Sequence, residues 1–147
     1  MHPKLAKPVE HVIKAARALA READQEYLGT EHVLLAIRME DDGVAARLLD
    51  RFRVDEHRLR AEIARLAIKS MEETWVFGRL PGSPHLKNVI ATAVDLAKQM
   101  GSDEVAAQHL LLAMLKEKGS IAYQAIKKLG MTYDAAQDAA LEFSAKE

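Results

Sequence analysis

Cysteine is absent from this chain. That absence excludes a disulfide framework, a thiolate metal site and a thiol nucleophile, and it is compatible with a reducing compartment. Aromatic residues are scarce, at 5% of 147 residues with a single tryptophan, Trp75. A core must therefore be built from Leu, Ile, Val, Ala and Met, a composition that favours helix over strand. Neither sign of charge dominates: 21 Lys and Arg against 22 Asp and Glu leave a net charge of −1. A nucleic-acid binder carries a basic face or stripe. Here the densest basic segment, Arg47 to Arg65, is interleaved with Asp50, Asp55, Glu56 and Glu62, as on a solvated helix face. No apolar run approaches the ~20 residues needed to span a bilayer, and Met1-His2-Pro3-Lys4 has no apolar signal core behind it. The expectation is a cytoplasmic chain that uses neither nucleic acid nor membrane.

Catalytic signatures are missing too. There is no Gly-x-x-x-x-Gly-Lys-[Ser/Thr] phosphate loop, no Gly-x-Ser-x-Gly and no His-Glu-x-x-His or Glu-x-x-His. The carboxylates scatter over expected solvent faces. The reading is a binding module, not an enzyme, with no cofactor and no metal.

What the chain does have is an internal repeat. Shifted by 77 positions, Gly29-Thr30-Glu31-His32-Val33-Leu34-Leu35-Ala36-Ile37 falls on Ala106-Ala107-Gln108-His109-Leu110-Leu111-Leu112-Ala113-Met114. The same ungapped shift places Val12-Ile13 on Val89-Ile90, Ala16 on Ala93, Leu19-Ala20 on Leu96-Ala97, Glu40 on Glu117 and Ala45 on Ala122. Each unit is several helices long. Apolar residues recur at three- and four-residue steps from Pro8 to Gln25, and a second, more uniformly apolar helix follows from Glu31 to Glu40 with Thr30 as its N-cap. Val44 to Phe52 reads as a third helix, and Asp55 caps a fourth. Periodicity lapses from Ser70 to Ser83, which is expected to be a linker between repeat one (5–69) and repeat two (84–145). The second set runs from Ser83-Pro84 to Met100, Ala106 to Lys118, Ile121 to Leu129, and Ala135 to Phe143 with Thr132 as cap. The expected fold is all-α: eight helices as two pseudo-twofold-related four-helix repeats in a single domain. Such small halves, each with a strongly apolar second helix, are expected to need one another to fold.

The segment Gly29 to Ile37 resembles the G-T-E-H-[IL]-L-L-[GA]-[LI] signature of the Clp repeat. Val44-Ala45-Ala46-Arg47-Leu48-Leu49 is similar to that family's G-[VI]-A-x-x-[LV]-L segment, and Phe52-Arg53-Val54-Asp55 falls where the family has L-G-[VI]-D. Ser83-Pro84-His85-Leu86-Lys87-Asn88-Val89-Ile90 resembles its T-P-R-A-K-x-V-[IL] opening of the second repeat. The resemblance extends from about Leu5 to Leu141 and implies the double Clp N-terminal domain of ClpA, ClpB and ClpC unfoldases. In those proteins the domain recruits protein substrates and adaptors to an ATPase ring and, through it, to a partner protease. It implies either such a domain from a longer ATPase or a free-standing accessory or regulatory subunit.

In ClpC-type domains the resemblance further implies a phosphoarginine site in each repeat, with a carboxylate holding the guanidinium and a hydroxyl near the phosphate. A carboxylate matches a guanidinium fork, and a helix N-terminus favours a phosphate. Carried over by position, repeat one has Thr30 and Glu31, with Leu5-Ala6 where the family has Phe-Thr. Repeat two has Ser83, with Gln108 at the carboxylate position. A partner groove is expected around Glu31, Gln108 and the starts of helices one and five. Glu31 also has a purely structural reading, stabilising its helix through the dipole. A sensor of a small phospho-ligand in the cleft between the repeats is the reading from another class. His32 and His109, equivalent by the repeat, are read as structural histidines tying each helix to a neighbour. Trp75 and Phe77 are expected to pack on the domain.

Overall fold

The computed structural model describes residues 4–23, 27–77 and 84–145, with side chains described for 4–23, 27–66 and 84–143. Among them are eight helices in two sets of four: α1 (Lys7–Glu22), α2 (Thr30–Glu40), α3 (Val44–Arg51) and α4 (Glu56–Phe77), then α5 (Pro84–Gln99), α6 (Ala107–Met114), α7 (Ile121–Lys128) and α8 (Tyr133–Ala145). The all-α class read from the sequence holds. Two strands of two residues, β1 (Lys4–Leu5) and β2 (Glu104–Val105), add a single parallel pairing, Lys4 opposite Glu104 and Leu5 opposite Val105.

Local chemistry accounts for the helix boundaries. Pro8 sits in the first turn of α1, where its missing N–H leaves no bond unmade. The Asp41 carboxylate accepts from the N–H groups of Gly43 (3.0 Å) and Ala46 (2.9 Å) and so starts α3. Asp55 Oδ1 accepts from Arg58 N–H at 2.7 Å and caps α4. Ser120 Oγ accepts from Tyr123 N–H at 3.1 Å and caps α7. Three helices end in the same doubly bonded turn, with one residue in the left-handed region: Arg53 after α3, Gly101 after α5 and Gly130 after α7. In the first, Arg53 N–H donates to Asp50 O (3.0 Å) and Val54 N–H to Leu49 O (2.8 Å); in the third, Gly130 donates to Lys127 O (3.0 Å) and Met131 to Ile126 O (3.0 Å).

Several boundaries differ from the sequence reading: α1 ends at Glu22 rather than Gln25 and α8 starts at Tyr133 rather than Ala135, and two others differ more. α6 stops at Met114 rather than near Lys118, because Lys116 and Glu117 turn back to Ala113 O (3.0 Å) and Met114 O (3.2 Å) in tighter bonds. The Glu117 side chain is held by His85 Nδ1 at 2.7 Å and Asn88 Nδ2 at 2.9 Å, which ties this turn to α5. The backbone of α4 is helical to Phe77, into the stretch that lacks periodicity. The side chains of Trp75 and Phe77 lie outside the described residues.

The repeats interlock. Within each, the first helix lies on the second, α1 on α2 and α5 on α6. The third helix of each crosses over: α3 packs against α6 and α8, and α7 packs against α2 and α4. One continuous core results, running from Val9 and Leu34 through Leu48 to Leu111, Ile126 and Ala140. Leu34, Ile37, Leu48, Leu111 and Ile126 are fully excluded from solvent; each such side chain contributes about 1.5–3 kcal/mol by burial.

Candidate ligand-binding site

Both repeats start their second helix with the same device. His32 Nδ1 accepts the backbone N–H of Gly29 at 2.9 Å, and His109 Nδ1 accepts that of Ala106 at 2.9 Å. A helix leaves its first N–H groups without intrahelical partners, and here an imidazole three residues on satisfies one of them. The residue at the cap is therefore Gly29, not Thr30 as the sequence reading has it. The histidines tie the N-terminus of their own helix rather than a neighbouring one. Burial lowers the pKa of both below the ordinary histidine value; at His32 the adjacent Glu31 carboxylate pulls the other way. A neutral ring whose Nδ1 accepts must carry its proton on Nε2.

Thr30 is the first residue of α2 and is buried. Its Oγ1 accepts the N–H of Ala122, in the first turn of α7, at 3.3 Å. The hydroxyl therefore joins the two repeats. Ala107 occupies the matching position in repeat two.

Glu31 follows, only 5% exposed. Tyr27 Oη donates to its Oε2 at 3.3 Å, a long bond, and the Tyr27 ring lies tilted against His32 at 5.8 Å between centroids. The carboxylate folds back over Gly29, so a Cβ there would displace the flexible end of Glu31. Among the described residues no Lys or Arg pairs with Glu31. A carboxylate this buried ordinarily has a cation or several hydrogen bonds. Its place in the first turn of α2 supplies part of the compensation through the helix dipole.

The strand pairing changes which candidate residues are neighbours. Ala6 N–H donates to Val105 O at 3.0 Å, extending the β1–β2 ladder. The residues before α1 thus pair with Glu104-Val105 of the other repeat, whereas the end of α1, at Leu19 and Glu22, lies beside Glu31. Leu5-Ala6 belongs to the same repeat as Glu31 by sequence, but its backbone pairs with the other repeat. Ala6 sits beside Val105, three residues before Gln108, and neither Ala6 nor Gln108 carries a hydroxyl or a carboxylate. Gln108 is partly exposed and makes no side-chain hydrogen bond among the described residues. Ser83 lies outside the described residues.

Glu31 and His32 also line a groove of about 400 Å3 between the end of α1, the start of α2 and α4, together with Leu19, Glu22, Leu35, Arg60 and Ile63. Among the described residues no three His, Asp or Glu side chains converge as metal ligands, and no helix is long and apolar enough to cross a membrane.

Two interlocked four-helix repeats, each opening its buried second helix on a histidine-capped turn, define a repeat-built helical domain. The family described as the Clp repeat (R) N-terminal domain matches residues 4–129 and, in an overlapping match, 83–147. The chain belongs to that family. Among curated proteins it is 27% identical over 128 residues to the ATP-dependent Clp protease ATP-binding subunit ClpC of Staphylococcus saprophyticus, covering 87% of this chain and 15% of that protein. ClpC of Staphylococcus aureus matches to the same extent. The chain therefore spans about 15% of the length of these relatives. Among solved structures it resembles the Hsp104 N-terminal domain of Candida albicans (TM-score 0.73, 21% identity, 98% of this chain and 93% of that one). It also resembles the N-terminal domain of the ClpD chaperone of Arabidopsis thaliana (TM-score 0.68, 16% identity, 95% and 93%). These likenesses establish the fold.

Proposed function

We propose that this chain is a protein-binding domain that recruits substrates or adaptors, in the cytoplasm, to a Clp ATPase and through it to a protease. The observation that carries this reading is Glu31: a buried carboxylate at a helix start, with one long hydrogen bond and no cation among the described residues. Such a group is poised for a guanidinium, which would supply charge and two parallel hydrogen bonds. The ligand class favoured is arginine, and phosphoarginine at this one site, because Ala6 and Gln108 carry neither a hydroxyl nor a carboxylate. Losing a charge-assisted hydrogen bond costs about 1.5–3 kcal/mol, or roughly ten- to a hundredfold in affinity.

Two measurements test it. Phosphoarginine and arginine are titrated into the chain under two-dimensional amide NMR, with Glu31→Gln as control. Shifts around Tyr27 to His32, lost in the variant and absent near Gln108, are expected; no shift up to millimolar ligand removes the arginine reading. Recruitment is read by fusing the chain ahead of a ClpC ATPase stripped of its own N-terminal domain. Restored degradation of an arginine-phosphorylated protein is expected, and unchanged degradation refutes recruitment of that substrate.

A further inference from the structure

Glu31 is one wall of a larger feature. The groove of about 400 Å3 beside it has an apolar part, Leu19, Leu35 and Ile63, and an acidic part, Glu22 and Glu31. Its volume falls in the ~300–1,000 Å3 range of sites that enclose a small ligand or a side chain. Its one base, Arg60, is already engaged: Nε donates to Glu56 Oε2 at 2.8 Å and Nη2 to Met39 Sδ at 3.3 Å. Among the described residues no cation pairs with either acid, and beside them Leu19 and Ile63 are partly exposed while Leu35 is buried.

The internal repeat supplies a comparison within the same molecule. Shifted by 77, Glu22 becomes Gln99, Glu31 becomes Gln108, Arg60 becomes Gln137 and Ile63 becomes Ala140. Both acids are thus confined to repeat one. The apolar residues that persist, Leu96 and Leu112, are buried in repeat two, at 3% and 0% exposed, whereas Leu19 remains partly open. The framework is shared, and only repeat one carries acids at these positions. Bare metal ions do not fit it, since no third ligand converges there among the described residues.

We propose that this groove is a subsite for the residue next to an arginine in the protein ligand. It receives an extended segment in which a bulky apolar side chain adjoins a basic one. The apolar side chain lies on Leu19, Leu35 and Ile63, while the guanidinium meets Glu31 and is attracted by Glu22. This rests on reading Glu31 as a cation-binding group. It adds a sequence preference: the domain discriminates among arginines by their neighbour.

The experiment is an NMR titration of the full chain with two blocked dipeptides, acetyl-Leu-Arg-amide and acetyl-Gly-Arg-amide, at physiological ionic strength. The leucine peptide is expected to bind about tenfold tighter, the effect of half-burying one leucine side chain. Methyl shifts are expected at Leu19, Leu35 and Ile63. Ile63→Ser removes that advantage and leaves binding of the glycine peptide unchanged, whereas Glu31→Gln weakens both. Equal affinity of the two peptides for the unaltered chain overturns the subsite and leaves the arginine reading of Glu31 standing. Failure of both peptides to perturb Glu31 overturns the subsite together with that reading. The two-peptide comparison on the unaltered chain needs no variant to fold.

Discussion

Arg53 is a residue that the structure says is the wrong one for its backbone. It lies in the turn between α3 and α4 with φ +59°, and the equivalent position in repeat two is Gly130, with φ +105°. A side chain in the left-handed region costs about 1–2 kcal/mol. Arg53→Gly removes that strain and adds about 0.5–1 kcal/mol of unfolded-state entropy to be lost on folding. The net is a gain of about 0.5–1 kcal/mol. Little else is at stake: the arginine is exposed, and the turn's bonds, including Arg58 Nη1 to Arg53 O at 2.7 Å, use only its backbone. For a domain of this size the gain raises Tm by about 1–4 °C. Urea unfolding reads it as a higher midpoint at unchanged slope. The mirror experiment is Gly130→Ala. Nothing lies within 4 Å of where its Cβ would sit, so the loss, about 1 kcal/mol or more, is purely conformational. A destabilised Arg53→Gly, or a neutral Gly130→Ala, would refute the strain argument.

Because α3 and α7 cross between repeats, the fragments 1–83 and 84–147 are expected to lack a cooperative unfolding transition separately and to regain one when mixed; a stably folded monomeric 1–83 fragment contradicts this. Burial holds the pKa of His32 and His109 below the ordinary value of 6.5. As pH falls below that value the unfolded chain takes up protons first. Stability is therefore complete above it and declines toward lower pH. The urea midpoint between pH 7.5 and 5.5 follows this decline, and a double variant with Gln at 32 and 109 shows a flatter profile. At Glu117 burial raises the pKa, but the hydrogen bonds from His85 and Asn88 and the charge of His85 outweigh it and hold the carboxyl below its ordinary value of 4.5. Its contribution is present above that value and fades as pH falls through the folded-state pKa; Glu117→Gln lessens the acid sensitivity in the same assay. Thr30→Val leaves the Ala122 N–H without its acceptor and costs about 1–3 kcal/mol, with an unchanged helix content by circular dichroism.

The helices were legible because their evidence is local. Val9, Val12, Ala16 and Ala20 mark one face of α1, and Asp55 stands where a cap must stand. The family was legible from the run Gly29 to Ile37 and its echo 77 residues later. The neighbours of each site residue were not. β1 is two residues long, too short for any period, yet it decides that Ala6 meets Val105 and so which candidate positions share a corner. Thr30 misled because a threonine before an apolar run is ordinarily a cap. The histidine three residues after Gly29 and again after Ala106 was the signal for the cap actually used. The bareness of Glu31 was invisible, since whether a charge has a partner depends on side chains distant in the chain. A groove at Glu31 was expected, but its walls were not legible, since Glu22, Glu31 and Ile63 lie on three different helices.

The crossing of α3 and α7 also sets a timetable for the chain as it is made. Thr30 waits for Ala122, 92 residues later. At the ~5–20 residues per second of synthesis, that is about 5–20 s during which the face of α2 that α7 covers is open, although α1, α3 and α4 already pack on the rest. The ribosome therefore releases repeat one as an adhesive, unfinished half. Whatever shields nascent chains must hold it until α7 emerges. Codon changes that slow translation between α2 and α7 would lengthen that exposure and lower soluble yield without altering a single residue of the finished protein.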